Sequence, residues 1–252
     1  MAEIFTPELV GFFVVGFLAQ IIDGSLGMAY GVSANSFLMG LGVPPALASA
    51  SVHTAEVFTT AASGLSHWRL GNVNWQIIRR LAVFGVGGGI LGAYVLSNVD
   101  GSAIKPWVAL YLLAMGIRIL VKAFRPVNGV SKALRQRLPI LGLFGGFMDA
   151  IGGGGWGPVV TTTMLANGEP PRQTIGSVNL SEFFVTTAEA VTFFLTLGAL
   201  DLPVVIGLLL GGALAAPLGA LLVKKVPTKV MLILVGVLVI GLQIRTLVQI
   251  WF

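Results

Sequence analysis

Residues 149–158 read DAIGGGGWGP, with an acid, four consecutive glycines, a tryptophan and a proline between long apolar stretches. Glycine and proline both disfavour the interior of a helix, so this stretch predicts a break. Proline at position 158 suits the first turn of a helix that restarts there. The stretch therefore predicts a helix that stops and restarts inside an apolar region.

The composition is that of a membrane protein. Of the 252 residues, 56% are hydrophobic and only 10% are charged, and the mean hydropathy is +0.93. A soluble domain carries about 25% charged residues, so this chain lacks the polar residues needed to cover a globular surface. Having no cysteine, the chain excludes disulfides, thiolate metal sites and cysteine nucleophiles. The net charge of +5 comes from basic residues between apolar stretches, which indicates membrane topology rather than nucleic-acid binding.

Ten apolar segments are separated by short polar breaks and one basic linker. In each half, three segments reach the length of about 20 residues that a membrane-spanning helix needs, whereas the first two are short. The segments lie near 8–22, 28–42, 46–67, 76–98, 104–123, 138–150, 156–167, 174–198, 202–223 and 228–251. We therefore expect an all-α polytopic membrane protein of eight to ten helices, depending on whether each short pair spans the membrane or re-enters.

The two halves of the chain resemble each other. A shift of 126 residues aligns residues 23–68 with the second half without a gap, and it matches an acid, a pair of prolines and a second acid. The identical pairs include Asp23 and Asp149, Gly27 and Gly153, Pro44-Pro45 and Pro170-Pro171, Ser51 and Ser177, and Glu56 and Glu182. We therefore predict two repeats, 1–123 and 138–252, joined by a basic linker at 124–137 within one membrane domain.

The basic residues orient these repeats. They concentrate at 69–80, in the linker and at 224–229, whereas Asp100 and Asp201 lie in the intervening breaks. Because cytoplasmic loops carry the excess of Lys and Arg, we expect a cytoplasmic linker and both termini outside a plasma (cell inner) membrane. Each half then crosses an odd number of times, so the second repeat is inserted upside down. Inverted repeats of this kind occur in many secondary transporters.

The two breaks are the predicted binding site. Irregular backbone at membrane depth is tolerated only where it is buried in protein or lines a cavity, and paired breaks in inverted halves indicate a transporter's substrate site. Exposed N–H groups at a helix N-terminus favour an anion. From the breaks and the helices that follow them, we expect the substrate-binding residues to be Gly27, Tyr30, Ser51, His53, Gly153, Gly154, Gly155, Trp156, Ser177 and Asn179. By contrast, the run GVGGGILG at 85–92 indicates close helix packing.

Acidic residues inside apolar segments are costly and need an explanation. A permanently negative site would repel an anion, so a carboxylate that gains and loses a proton could couple anion movement to protons. We assign this coupling role first to Glu56 and Glu182, the alternative being that they cap broken helices or pair with arginines. Asp23 and Asp149 are expected to accept backbone N–H bonds at the breaks and are further coupling candidates. Glu189 is a fifth acid of this kind.

A family resemblance rests on these duplicated features. The break after an acid, the Pro-Pro turn and the following S-V-x-x-x-E helix resemble the TauE/SafE family of sulfite exporters. The resemblance covers nearly the whole chain. It implies a membrane carrier for small sulfur-containing anions such as sulfite, sulfoacetate or thiosulfate, driven by an ion gradient. The first break, DGSLGMAYG, is poorer in glycine than the second.

The sequence contains no motif that would indicate an enzyme or a metal-binding protein instead of a carrier. No H-E-x-x-H, G-x-S-x-G or P-loop motif is present, and two histidines are too few for a histidine-rich metal site. We therefore expect no enzyme activity, no cofactor, no metal and no nucleic-acid partner. The expected partners are the small sulfur-containing anion, membrane lipid and protons as the coupling ion, and the oligomeric state is open. An anion channel of the same architecture and a carrier of a different small organic anion are the alternatives.

Overall fold

The computed structural model describes residues 7–26, 28–124, 132–167, 169–198, 200–222 and 228–251, which form a helical bundle. The helices are α1 (Pro7–Leu26), α2 (Tyr30–Gly40), α3 (Pro45–Arg69), α4 (Trp75–Asn98), α5 (Gly101–Lys122), α6 (Lys132–Gly152), α7 (Thr162–Ala166), α8 (Pro171–Leu197), α9 (Leu202–Leu222) and α10 (Thr228–Trp251). A π-helical segment, Trp156–Thr161, runs directly into α7. Each predicted apolar segment corresponds to helix, but α6 begins at Lys132 rather than near 138. The second part of the predicted linker is therefore helical.

The helix starts follow local sequence signals. α3 and α8 both begin at the second residue of a Pro-Pro pair, Pro45 and Pro171, where the missing N–H has no helical partner to lose. α4 begins after Asn74, whose side-chain oxygen accepts a hydrogen bond from the N–H of Gln76 at 3.0 Å. The duplicated Pro-Pro turns thus start the two long helices that follow the breaks.

Several helices meet the requirements for crossing a membrane. Among the described residues, four are long and apolar enough: Trp75–Asn98, Gly101–Lys122, Gln173–Leu197 and Leu232–Trp251. Large apolar side chains face outward, with Trp107 71% and Leu195 74% exposed. Since lipid rather than water is the favourable surrounding for such a surface, the prediction of an all-α polytopic membrane protein is confirmed.

The helices pack in pairs, and the predicted duplication relates one pair to another. α1 packs along α9 and α6 packs along α4, and these two pairs correspond because α1 matches α6 and α4 matches α9. α3 packs on α8, and α5 on α10. Glycine permits the closest approach, since a Cβ on Gly146 would collide with the carbonyl oxygen of Gly85. Close packing through residues 85–92 is therefore confirmed, while the inverted orientation of the repeats stays a prediction.

The second short helix pair folds back on itself, so that the chain after α6 runs along α6. Gly145 of α6 packs against Trp156 and Val160 of the π-helical segment. Arg135, in the first turn of α6, forms a bidentate ion pair with Glu169, just after α7, at 2.9 and 3.2 Å. The chain thus returns to the end of the bundle at which α6 began. We call this the linker end, because α5 ends and α6 begins there.

Candidate functional site

The second break is a turn held by one carboxylate. After α6 ends, Gly153 adopts a positive φ of 70°, a backbone conformation that strongly favours glycine. Oδ1 of Asp149 accepts hydrogen bonds from the N–H groups of Gly155 at 3.1 Å and Trp156 at 3.0 Å. This is the backbone anchoring expected of Asp149. It also means that both N–H groups, which we expected to bind substrate, are occupied by an internal anion in this conformation.

The two breaks are in direct contact through glycine. A Cβ on Gly31, in the first turn of α2, would lie 2.6 Å from the carbonyl oxygen of Gly153. A Cβ on Gly157 would lie 2.8 Å from the Cβ of Met28, in the first break. Only the absence of side chains allows the two backbones to approach this closely. The structure therefore brings the breaks together at the centre of the bundle, although Gly27 itself lies outside the described residues.

The aromatic residues at the breaks are anchored differently. Trp156 is fully buried, and its indole N–H donates to the carbonyl oxygen of Val178 in α8 at 3.0 Å. Tyr30 is also buried, but its hydroxyl donates to the carbonyl oxygen of Leu208 at the long distance of 3.5 Å. Gly154 faces the ring of Tyr111, whose hydroxyl would lie 2.6 Å from an added Cβ. Trp156 and Tyr30 are therefore both buried beside the breaks, and Trp156 has the shorter hydrogen bond.

A buried histidine connects three helices next to the second break. Nδ1 of His53 in α3 lies 2.9 Å from Oε2 of Glu56 and 3.2 Å from Oε2 of Glu189 in α8. Nε2 lies 3.0 Å from the carbonyl oxygen of Asp149 in α6. One turn earlier on α3, the hydroxyl of Ser49 donates to the carbonyl oxygen of Ala150. The three-residue spacing of His53 and Glu56 thus places both side chains on one face of α3.

Hydrogen-bond chemistry sets the minimum number of protons in this cluster. A carbonyl oxygen only accepts, so Nε2 of His53 must carry a hydrogen to bond Asp149. Nδ1 forms a hydrogen bond with Oε2 of Glu56, so at least one hydrogen must lie in this group, and the carboxylate of Glu189 faces Nδ1 at ion-pair distance. Either the imidazole is positively charged or one of the two glutamates is protonated. The cluster of His53, Glu56 and Glu189 thus holds a proton deep inside the bundle.

The other predicted acids surround this cluster. Asp23 in α1 lies beside the backbone N–H of Tyr30 and within electrostatic range of Glu56. Glu182 in α8 lies within range of Glu56 and Asp23. The centre therefore combines carboxylates from four helices with one histidine, and its charge balance depends on how many protons it holds.

The serine and asparagine candidates lie in different surroundings. Ser51 is buried, and its hydroxyl has no hydrogen-bond partner among the described residues. The hydroxyl oxygen of Ser177 accepts from the N–H of Asn74 at 2.8 Å. Asn179 accepts from the hydroxyl of Ser63 at 3.2 Å. Ser177 and Asn179 therefore connect α8 to α4 and α3, and their binding of an anion stays a prediction.

The cluster also has the spacing of a metal site. One ligand atom each from His53, Asp149 and Glu189 lie within 4.8 Å of one another. Both ring nitrogens of the histidine are already engaged, one with a backbone carbonyl and one with carboxylates. We therefore interpret the group as a hydrogen-bonded acid–base cluster rather than as metal ligands.

Glu189 is the residue that sequence reasoning left out of the site. It is fully buried, and a Cβ on Gly89 of α4 would lie 2.6 Å from its Oε1. A signal was present, because Glu189 follows Glu182 by seven residues, two helical turns along one face. An acid in an apolar segment, at this spacing from Glu182, indicates that both glutamates lie on the interior face of the helix.

Comparisons with known proteins agree with this architecture. Residues 12–246 match the family described as sulfite exporter TauE/SafE. The chain is 44% identical, over 97% of its own length and 84% of the relative's, to the probable membrane transporter protein YtnM of Bacillus subtilis (strain 168). It is 22% identical to the probable membrane transporter protein YunE of the same organism, over 92% of this chain and 95% of that protein. No solved structure matches the chain. The chain therefore belongs to the sulfite exporter TauE/SafE family and is a multi-pass membrane transporter.

Proposed function

We propose that the protein is a proton-coupled secondary carrier of a small sulfur-containing anion, working by alternating access around the two breaks. The observation that carries this proposal is the proton-holding cluster of His53, Glu56 and Glu189. A buried group of this kind, bonded directly to the backbone of a helix break, connects protonation to the part of a carrier that must move.

The coupling follows from charge. With its carboxylates ionised, the centre is strongly negative and repels an anion. Each proton that the cluster takes up removes one negative charge, so proton binding favours anion binding. The same proton alters the bonding of His53, whose Nε2 is attached to Asp149 at the break. Anion and proton therefore bind to the same conformation, which favours their movement in the same direction.

The family name supports a sulfur-containing anion such as sulfite, sulfoacetate or thiosulfate as substrate. The contact of Gly31 with Gly153 supports a carrier, because it closes the centre in this conformation. An anion channel would need an open path there. We further propose the topology in which the linker is cytoplasmic, both termini lie outside the cell inner membrane, and 1–123 and 138–252 are inverted repeats.

The test is uptake of labelled sulfite, thiosulfate and sulfoacetate into proteoliposomes, with and without an imposed pH gradient. We expect saturable uptake of at least one anion, stimulation by the gradient and counterflow. A large current without counterflow would identify a channel, and transport of none of these anions would exclude the proposed substrate class.

The coupling residues are tested by Glu189→Gln, which keeps the side-chain volume but removes the titratable group. We expect stimulation by the pH gradient to fall at least about tenfold, while counterflow continues. The matched control is Glu8→Gln, at an exposed glutamate in the first turn of α1. Equal stimulation in both variants would exclude the cluster as the coupling site.

A further inference from the structure

We propose that Arg118 and Lys122 in α5 form a binding site for the substrate anion on the linker-end side of the two breaks. This inference rests on the proposed function and adds the position at which the negative charge is recognised.

One face of α5 lies along both breaks. Tyr111, Met115, Arg118 and Lys122 follow the i, i+4, i+7, i+11 spacing of a helical face. Tyr111 and Met115 pack against Gly154, since both come within 3 Å of a Cβ added there. This face therefore follows the second break from its glycines toward the linker end.

The two basic residues contact one break each. Nε of Arg118 donates to the carbonyl oxygen of Pro158 at 2.9 Å, and its Nη2 donates to the hydroxyl of Thr163 at 3.1 Å. Nζ of Lys122 donates to the sulfur of Met28, in the first break, at 3.6 Å. The two charged groups therefore contact both breaks, near the position at which Met28 packs on Gly157.

These two cations have no anionic partner in the described part of the chain. The ion pairs found there join His53 to Glu56 and Glu189, and Arg135 to Glu169. Arg118 and Lys122 are close enough for their charges to repel each other. Their described acceptors are neutral, and a thioether is a weak one. The two positive charges repel each other beside a break, and a bound anion would offset this repulsion.

The position also fits the electrostatics of the acidic centre. The N–H groups of the second break are taken by Asp149, so they do not attract an anion in this conformation. Tyr111, on the same face of α5, is within electrostatic range of both Asp149 and Arg118. The face of α5 therefore connects a cationic region near the linker end to the proton-holding cluster deeper inside.

Space for an anion exists next to this position. A cavity of about 340 Å³ lies between α6 and α7 and is lined by Thr163, the same residue that Arg118 contacts. Arg137 and Asn167 add a further cation and an amide at its edge, whereas the rest of its lining is apolar: Leu134, Ile140, Leu141 and Phe144. The chemistry favours a small oxyanion, and two adjacent cations favour a dianion over a monoanion.

The experiment compares transport of thiosulfate, a dianion, with transport of methanesulfonate, a monoanion, in proteoliposomes. For Arg118→Gln and Lys122→Gln we expect the KM for thiosulfate to rise about tenfold or more, because a charge-assisted contact is lost. The KM for methanesulfonate should rise less, so that the preference for the dianion falls. Arg118→Lys keeps the charge and should retain that preference within about threefold.

The matched control is Arg245→Gln. Arg245 in α10 lies 127 residues after Arg118, one residue more than the shift that aligns 23–68, and like Arg118 it is exposed. We expect its KM values to stay within about twofold of the unmodified protein. A merely structural role of Arg118 would change transport of both anions equally and would be repeated by Arg118→Lys.

The outcomes separate this inference from the function on which it rests. Unmodified protein that transports thiosulfate, with unchanged KM in Arg118→Gln and Lys122→Gln, would overturn the binding site alone. Unmodified protein that carries none of thiosulfate, sulfite and sulfoacetate would overturn the proposed function, and the site with it.

Discussion

The two breaks occupy matching places in the chain but are held in different ways. At the second break, Asp149 binds two backbone N–H groups, and α3 holds the end of α6 through Ser49 and His53. At the first, α2 restarts after Ala29, which has a positive φ of 82° and no side-chain cap. Side chains of α3 and α6 therefore hold the second break through several polar contacts, whereas the described acid at the first break, Asp23, contacts the single N–H of Tyr30.

The difference lies in residues that the duplication does not match. The predicted alignment places His53 opposite Asn179, and Glu189 opposite Ser63. Asn179 and Ser63 bond each other at 3.2 Å, ten residues along each helix from Glu189 and His53. A duplicated scaffold thus carries its acid–base chemistry at one of its two breaks. We infer that the first break is the one that moves more easily during transport.

The largest effect is expected where the two breaks touch. Gly153→Ala places a Cβ against the backbone of Gly31 and also strains a φ of 70°. Overpacking and left-handed strain together cost about 3 kcal/mol or more, so we expect loss of folded protein or of most transport. Measuring unfolding in mixed micelles alongside uptake separates these two effects.

Gly71 supplies the matched control for Gly153. Its φ is 68°, but the space around it is open. Gly71→Ala should therefore cost only the backbone strain, about 1–2 kcal/mol. Equal destabilisation by both substitutions would show that the contact between the breaks contributes nothing.

A smaller effect is expected from removing the acid that holds the second break. Asp149→Ala leaves the buried N–H groups of Gly155 and Trp156 without their acceptor, which costs about 2–4 kcal/mol. Asp149→Asn keeps an oxygen acceptor and should cost about 1 kcal/mol. Asp23→Ala, at the first break, should cost less than Asp149→Ala because Asp23 is only half-buried. The comparison between the breaks is wrong if the two alanine variants unfold at the same denaturant concentration.

Substitution of the aromatic residues at the two breaks should change the free energy of unfolding by smaller amounts. Trp156→Phe loses the 3.0 Å bond to Val178 and part of a fully buried ring, at a cost of about 1–2 kcal/mol. Tyr30→Phe loses a 3.5 Å bond, and we expect about 0.5 kcal/mol or less. Thermal unfolding of both variants in the same detergent measures this difference. A larger decrease in Tm for Tyr30→Phe than for Trp156→Phe would show that the first break has the stronger polar contact.

The sequence was sufficient to predict the helices and the breaks. Apolar length, proline pairs and glycine runs are local properties, and they placed the start of the restarted helix at Trp156. The role of Asp149 was also predictable, because an acid seven residues before a helix start, across a glycine turn, lies within reach of its N–H groups.

The composition of the proton-holding cluster was not predictable from the sequence. His53 and Glu189 lie on helices whose mutual rotation depends on packing, and that packing depends on glycines such as Gly89. Arg118 was similarly unrecognised, because its proximity to a helix end is equally typical of a side chain that reaches the membrane surface. Such contacts depend on how each helix is rotated about its own axis. The sequence of a single segment does not specify that rotation.

The smallest effects are expected at the matched serines, and they should separate stability from transport. Ser177→Ala removes the acceptor of the Asn74 N–H and should destabilise the protein by about 1 kcal/mol. Ser51→Ala removes a buried hydroxyl that has no partner among the described residues, so its stability should be unchanged or slightly higher. If Ser51 donates to the anion, as we predicted, the KM in Ser51→Ala should nevertheless rise several-fold. Unchanged KM in both variants would remove the serines from the binding site and leave recognition of the anion to the basic face of α5.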